Sequence, residues 1–130
     1  AIERVAVVGA GVMGHGIALS YALAGLEVRL TDVADGVLAR GLAALDRDLA
    51  LLVEEGLVPS GDAAAARGRV VPSLDLREVI PGAELVTECV PESLPLKHEL
   101  LARLEELAGT GTVIASNTSN PFVVSVRYTS

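Results

Sequence analysis

Three glycines near the start of the chain have the spacing of a phosphate-binding turn. Gly9, Gly11 and Gly14 follow a short apolar run at residues 5–8, and this order predicts a buried strand, a turn and a helix. Gly9 would allow the sharp turn, Gly11 would leave room for a diphosphate, and Gly14 would let the helix approach the sheet. Amide groups at the start of such a helix can bind phosphates. The predicted dinucleotide site is Gly9, Ala10, Gly11, Val12, Met13 and Gly14.

A second strand-like run ends in a carboxylate. It covers residues 26–32, and its last residue, Asp32, comes 21 residues after Gly11. In a dinucleotide-binding fold, an acid at this place accepts hydrogen bonds from the adenosine ribose and repels a 2′-phosphate. Asp32 therefore favours NAD over NADP. The alternative is that Asp32 only starts a turn or caps the next helix.

Helical patterns alternate with short apolar runs along the rest of the chain. The spacing of apolar residues predicts helices at 12–24, 36–55, 74–80 and 94–107, and one short helix within 57–68. Strands are expected at 69–73, 84–90 and 112–116. This alternation requires right-handed crossovers and a parallel sheet.

The predicted architecture is a single α/β domain of Rossmann type. We expect a doubly wound parallel sheet in three layers, with strand order 3-2-1-4-5. Ligands of such a sheet lie beyond the carboxyl ends of the strands. Gly9, Asp32, residues 90–93 and residues 116–119 all follow strand ends, so they should converge on one crevice.

The composition fits one domain and argues against two classes of partner. Hydrophobic residues make up 51% of the chain, which is enough for a substantial core. Ten basic against 17 acidic residues give a net charge of −7, which disfavours nucleic acid and anionic membrane surfaces. The single cysteine, Cys89, is interpreted as an inert core thiol. No signal segment, membrane-spanning run or metal site is predicted, so we expect a cytoplasmic protein.

Two further motifs accompany the glycine turn and Asp32. They are the run Glu88-Cys89-Val90-Pro91-Glu92 with Lys97 five residues later, and Ala115-Ser116-Asn117-Thr118-Ser119. Together the three motifs resemble the N-terminal domain of the 3-hydroxyacyl-CoA dehydrogenase family. The resemblance covers residues 2–119. It implies that NAD is held by residues 9–14, that Asp32 binds the ribose, and that Glu92 and Lys97 make further coenzyme contacts. It also implies that Ser119 lies near the nicotinamide and contacts the substrate.

The activity that the resemblance implies is hydride transfer between NAD and a 3-hydroxyacyl substrate. Members of the family continue into a strand with a catalytic histidine and a helical second domain that forms a dimer. The present chain has only His15 and His98, which match no catalytic position. We therefore expect an NAD-binding domain at 1–119, a divergent tail at 120–130, and a truncated chain with little activity of its own. Self-association through residues 122–126 is expected, and the parent enzyme should be a homo-oligomer.

Several alternatives remain open at the level of sequence. Acidic residues on the second helix, around Asp48 and Glu55, disfavour polyanionic CoA and favour a free hydroxy acid, as in gulonate or carnitine dehydrogenases. Glu92 and Lys97 could form an ion pair within one helix, and Ser119 could be an ordinary loop residue. His15 is interpreted as a solvent-facing polar residue. A non-catalytic nucleotide-binding module and a methyltransferase are the remaining functional alternatives.

Overall fold

A twisted sheet of six strands, covered by helices on both faces, forms the protein. The computed structural model describes residues 1–91, 97–117 and 124–128. The strand order is β3-β2-β1-β4-β5-β6. The first five strands are parallel, because β1 pairs with β2 and β4, β2 with β3, and β4 with β5 in that sense. The predicted order 3-2-1-4-5 is therefore confirmed.

The helices and strands alternate along the chain as the sequence predicts. In chain order they are β1 (Arg4–Val8), α1 (Val12–Leu23), β2 (Glu27–Thr31), α2 (Asp35–Glu54), α3 (Ser60–Gly68), β3 (Val70–Pro72), α4 (Leu76–Val79), β4 (Leu85–Glu88), α5 (Lys97–Leu107), β5 (Val113–Asn117) and β6 (Val124–Tyr128). The short helix expected within 57–68 is α3. The helix expected over 74–80 is shorter, since α4 contains one turn and Pro81 follows soon after it.

Two separate apolar clusters cover the two faces of the sheet. Successive side chains of a strand point to opposite faces, so Val5 and Val7 of β1 enter one cluster while Ala6 and Val8 enter the other. The first cluster contains residues of α1, α2 and α3, and the second contains residues of α4 and α5. These two clusters confirm the three-layer α/β arrangement. They also explain why β1 is apolar throughout, since both of its faces are covered.

Glycine ends the first helix at the predicted place. The helix α1 stops at Leu23, and Gly25 follows with φ of 95°, a left-handed conformation that favours glycine. The amide of Leu26 then donates to the carbonyl of Tyr21 and closes the end of the helix. This turn directs the chain straight into β2.

The sixth strand was not predicted from the sequence. Residues 124–128 form β6, which pairs with β5 in the antiparallel sense, with Val126 opposite Ala115. From the sequence, residues 120–130 are predicted only as a divergent tail, with no strand named among them. Residues 124–126 of the segment predicted to self-associate belong to β6, and residues 122 and 123 lie outside the described part of the chain. In that described part, no helix is both long and apolar enough to cross a membrane.

Candidate coenzyme site

The register of the sheet brings four strand ends into one row. Val8 of β1 lies opposite Thr31 on one side and opposite Glu88 on the other. Glu88 in turn lies opposite Ser116 of β5. The residues that follow these positions therefore leave the sheet along a single edge. This edge, formed by the ends of β2, β1, β4 and β5, is called the carboxyl edge below.

At the centre of the carboxyl edge, β1 leads into α1 through a turn that only glycine can make. Gly9 has φ of 113°, and a Cβ atom at this residue would lie 2.8 Å from the carbonyl carbon of Cys89. A Cβ atom at Gly14 would overlap the carbonyl oxygen of Gly9. Both positions therefore exclude larger residues for reasons of backbone contact. The roles predicted for them, the sharp turn and the close approach of the helix, agree with this geometry.

Gly11 differs from the other two glycines, because a Cβ atom at this residue would have no atom within 4 Å. It is the residue immediately before α1, where its carbonyl accepts the first helical hydrogen bond, from the amide of His15 at 3.0 Å. The next two residues, Val12 and Met13, are also exposed, at 87% and 54% of their surface. Packing within the protein therefore does not explain why this segment is a glycine followed by apolar residues at the surface.

Asp32 lies directly beside the glycine turn. Its Oδ2 atom accepts a hydrogen bond from the amide of Ala10 at 2.8 Å, and its Oδ1 atom accepts one from the amide of Ala34 at 3.1 Å. Asp32 is 9% exposed. The bond to Ala34 is a local turn contact, as expected from the alternative in which Asp32 only starts a turn. The bond to Ala10 adds a connection between the ends of β1 and β2.

Gly41 also shapes the turn, although no sequence motif pointed to it. A Cβ atom at this residue of α2 would overlap the carbonyl oxygen of Ala10. Gly41 therefore lets α2 pack directly against the backbone of the glycine turn. The available signal was a glycine in the middle of a predicted helix, where it costs helix stability relative to alanine and so calls for a packing reason.

His15 is not solvent-facing, so its interpretation from sequence was wrong. Its side chain is 14% exposed and lies between α1 and α2. Nδ1 lies 2.9 Å from the carbonyl oxygen of Gly11, and Nε2 lies 3.0 Å from Oδ2 of Asp48. Because a carbonyl oxygen only accepts hydrogen bonds, Nδ1 is the donor in the first contact. His15 thus joins the start of α1 to α2.

The other half of the carboxyl edge contains a buried ion pair. Glu88 is fully buried, and its Oε2 atom accepts a hydrogen bond from the hydroxyl of Ser116 at 2.7 Å. Its Oε1 atom lies 3.1 Å from Nζ of Lys97, whose side chain is 8% exposed. Nζ also donates to the carbonyl of Val90 at 3.3 Å. Within the described residues Oε1 makes no well-aligned hydrogen bond, so the nearby ammonium charge compensates it.

Two carboxyl groups with shifted pKa values lie away from the carboxyl edge. Glu84 precedes β4, and hydrogen bonds donated by the amides of Glu3 and Arg4 lower the pKa of its carboxyl group. At the start of α4, the side-chain hydrogen bond from Arg77 lowers the pKa of Asp75. The same contact raises the pKa of Arg77. These groups stabilise strand and helix starts and do not belong to the crevice.

The family model for the 3-hydroxyacyl-CoA dehydrogenase NAD-binding domain matches residues 4–126. The chain belongs to this family. NAD is therefore its coenzyme, and the fold is the Rossmann-type fold of these dehydrogenases. The match extends into β6, beyond the boundary predicted at residue 119.

Relatives in the family are longer than this chain. Human mitochondrial hydroxyacyl-coenzyme A dehydrogenase is 31% identical, and the alignment covers 96% of this chain but 41% of the human protein. The structure of (S)-3-hydroxybutyryl-CoA dehydrogenase PaaH1 from Ralstonia eutropha superposes with a TM-score of 0.85 at 33% identity, covering 92% of this chain and 42% of that one. A diketoreductase that acts on dicarbonyl compounds gives a TM-score of 0.81 at 36% identity, covering 91% and 42%.

The structure describes most of the site residues that the sequence predicts. The glycine turn, Asp32 and Lys97 lie along the carboxyl edge, whereas Glu92 and Ser119 lie outside the described residues. Lys97 faces Glu88, a partner that the sequence did not indicate. Cys89 is partly buried and packs against the first apolar cluster, and His98 is exposed as expected. No group of three or more His, Cys, Asp or Glu residues in the described ranges could hold a metal ion.

Proposed function

We propose that this domain binds NAD along the carboxyl edge and serves an oxidoreductase that acts on a 3-hydroxyacyl-CoA. The observation that supports this proposal most directly is the 2.8 Å hydrogen bond from the amide of Ala10 to Asp32. It joins the glycine turn to the acid at the end of β2, and these are the two features that a dinucleotide site requires.

The coenzyme roles follow from the positions of the residues. The amides at the start of α1 would bind the diphosphate, because they lack helical partners and carry the positive end of the helix dipole. The open space beside Gly11 would admit the diphosphate, and a side chain there would obstruct it. The Asp32 carboxylate would accept hydrogen bonds from the adenosine ribose. It would also repel the 2′-phosphate of NADP.

NAD would supply the chemistry, since its nicotinamide accepts a hydride from the hydroxyl-bearing carbon of the substrate. The residues of this chain would bind the coenzyme and orient it. On the basis of the family motifs, Glu92 and Lys97 are proposed as further coenzyme contacts and Ser119 as a substrate contact. Neither His15 nor His98 is assigned as a base. We therefore expect these 130 residues to bind NAD with little turnover of their own.

A free hydroxy acid or another small carbonyl compound is the second candidate substrate. The acidic residues of α2 support it, as does the diketoreductase among the structural relatives. However, Asp46 pairs with Arg67, so part of this negative charge is compensated. The helix α2 therefore opposes CoA less than its sequence suggests, and 3-hydroxyacyl-CoA remains our first proposal. The cytoplasmic location and the homo-oligomeric state remain predictions.

Isothermal titration with NAD, NADP and S-adenosylmethionine tests this proposal. The wild-type chain should bind NAD, bind NADP at least about tenfold more weakly, and not bind S-adenosylmethionine. In the D32N variant the NAD–NADP difference should shrink, because the side chain keeps its shape and loses its charge. Equal NAD affinity in wild type and D32A would contradict the ribose role of Asp32.

A glycine pair provides the matched control. The substitution G11A should weaken NAD binding by about tenfold or more, because its Cβ would occupy the approach of the diphosphate. A Cβ atom at Gly61 of α3 would also have no atom within 4 Å, so G61A adds the same methyl group away from the crevice. Equal NAD affinity in G11A and G61A would contradict the proposed position of the diphosphate.

A further inference from the structure

The buried ion pair on the β4–β5 side is not explained by the glycine turn or by Asp32. Glu88 is 0% exposed, and its two carboxylate oxygens face Lys97 and the hydroxyl of Ser116. The residues come from α5, β4 and β5, so the contact depends on the tertiary fold. The ammonium group is buried as well, since the Lys97 side chain is only 8% exposed.

Stability alone does not account for two buried charges at this place. Removing two charges from water costs several kcal/mol per ion, and a pair of well-packed neutral residues is often as stable or more stable. The apolar surroundings of the second cluster would accept such a neutral pair, since Val86 and Ile114 lie nearby on the same two strands. The ammonium charge at the carboxyl edge is therefore better explained by a ligand.

The register of the sheet indicates which part of the ligand would lie near Lys97. Thr31 and Glu88 flank Val8 on opposite sides, so Asp32 and Glu88 lie on opposite sides of the glycine turn. Neighbouring strands are about 4.8 Å apart, which places Glu88 roughly 10 Å from the end of β2. If the diphosphate binds at the turn and the adenosine at Asp32, the other nucleoside of NAD extends over β4 and β5. This assignment rests on the coenzyme position proposed above.

We propose that Glu88 is a positioning residue that, together with Ser116, holds the ammonium group of Lys97 against the nicotinamide half of NAD. The hydroxyl of Ser116 fixes the carboxylate of Glu88 through Oε2. The other oxygen, Oε1, then attracts Nζ of Lys97, and the carbonyl of Val90 orients the same group. Glu88 itself does not touch the coenzyme. It acts by keeping a long, flexible side chain in one place.

Titration with NAD and with ADP separates this role from a general effect on folding. ADP contains the adenosine and diphosphate groups and lacks the nicotinamide riboside, so Glu88 and Lys97 should not affect its binding. In E88Q, NAD should bind about tenfold more weakly, whereas ADP affinity should stay within about twofold of wild type. The variants K97M and E88Q/K97M complete a double-mutant cycle. If Glu88 acts through Lys97, the double variant should bind NAD as weakly as K97M and no more weakly.

Ser116 provides a test that does not depend on the stability of E88Q. S116A should weaken NAD binding selectively and by less than E88Q, and S116T, which keeps a hydroxyl, should restore part of the affinity. Wild-type NAD affinity in both E88Q and S116A would overturn the inference, as would equal losses for NAD and ADP. If the wild-type chain binds neither NAD nor ADP, the proposed function itself fails and the inference fails with it. If the wild type binds both and neither E88Q nor S116A changes either affinity, only the inference fails.

Discussion

The two sides of the crevice keep their shape by different means. On the β1–β2 side, backbone atoms make the close contacts, since Cβ atoms at Gly14 and Gly41 would overlap carbonyl oxygens of Gly9 and Ala10. On the β4–β5 side, the shape depends on charged side chains, with Lys97 and Glu88 buried as an ion pair. The first side tolerates no added atoms at these two glycine contacts, which involve backbone atoms and no charged group. The second has ordinary side-chain packing, and its geometry depends on a balance of charges.

The strongest test of the backbone-built side is G14A. Its new Cβ would overlap the carbonyl oxygen of Gly9, so α1 or the turn would have to move. We expect G14A to lower the free energy of unfolding by about 5 kcal/mol or more, which is the whole stability of a small domain. Little folded protein should therefore remain. A Cβ atom at Gly16 in the same helix would have no atom within 4 Å, so G16A is the matched control. Circular dichroism in urea measures both, and equal stability of the two variants would contradict the close backbone contact at Gly14.

The charge-built side should respond to charge balance more than to volume. K97M leaves the buried carboxylate of Glu88 without the ammonium, and it should lower the free energy of unfolding by about 3–5 kcal/mol. E88Q/K97M removes both charges and should recover most of that loss. Urea denaturation of the two variants provides the measurement. A double variant as unstable as K97M would show that packing, and not charge compensation, dominates on this side.

His15 tests whether side-chain contacts also support the backbone-built side. H15A removes the hydrogen bonds to Gly11 and Asp48, and it should destabilise the domain by about 1–2 kcal/mol. H98A is the matched control, because His98 is exposed on α5 and should change stability by less than about 0.5 kcal/mol. Thermal melts compare the two. Equal melting temperatures would mean that the glycine turn needs no support from α2 through this side chain.

The smallest effect is expected at the opposite edge of the sheet, where Glu84 binds the amides of Glu3 and Arg4. Because the pKa of Glu84 is lowered from its ordinary value of 4.5, its stabilising contribution is present above that value and is lost as the pH falls through the lowered pKa. E84Q should therefore melt at a lower temperature than wild type at pH 7, and the difference should shrink at acidic pH. NAD affinity should not change. A difference independent of pH would show that the charge of Glu84 does not stabilise this edge.

The sequence predicts the backbone-built side well and the other side poorly, for a physical reason. Gly9, Gly11, Gly14 and Asp32 follow strands that are recognisable from local patterns, so parallel pairing brings them together. The contact of Glu88 with Ser116 depends on the register between β4 and β5, which no local pattern specifies. The contacts of His15 and Gly41 likewise depend on how closely α2 approaches α1 and the glycine turn. These distances follow from three-dimensional packing and not from residue spacing.

Local patterns in the sequence predict the helices and the first five strands, whereas β6 has no such pattern. Glycines and apolar periodicity mark the ends of α1 and α2 at almost the observed residues. The strand β6 follows a polar segment, and an apolar run at this position is equally compatible with an exposed tail. Its antiparallel pairing with β5 is a long-range choice that composition does not reveal.

The contact between Gly41 and Ala10 limits how the coenzyme preference of this domain could be redesigned. With α2 resting on the backbone of the glycine turn, the helix cannot shift inward to grip a bulkier ribose phosphate, and an outward shift would open a void. Residues 32–34, which join β2 to α2, are then the available place for a new phosphate-binding side chain. An engineered change from NAD to NADP would have to be made within this short connection, with the helix left in its present position.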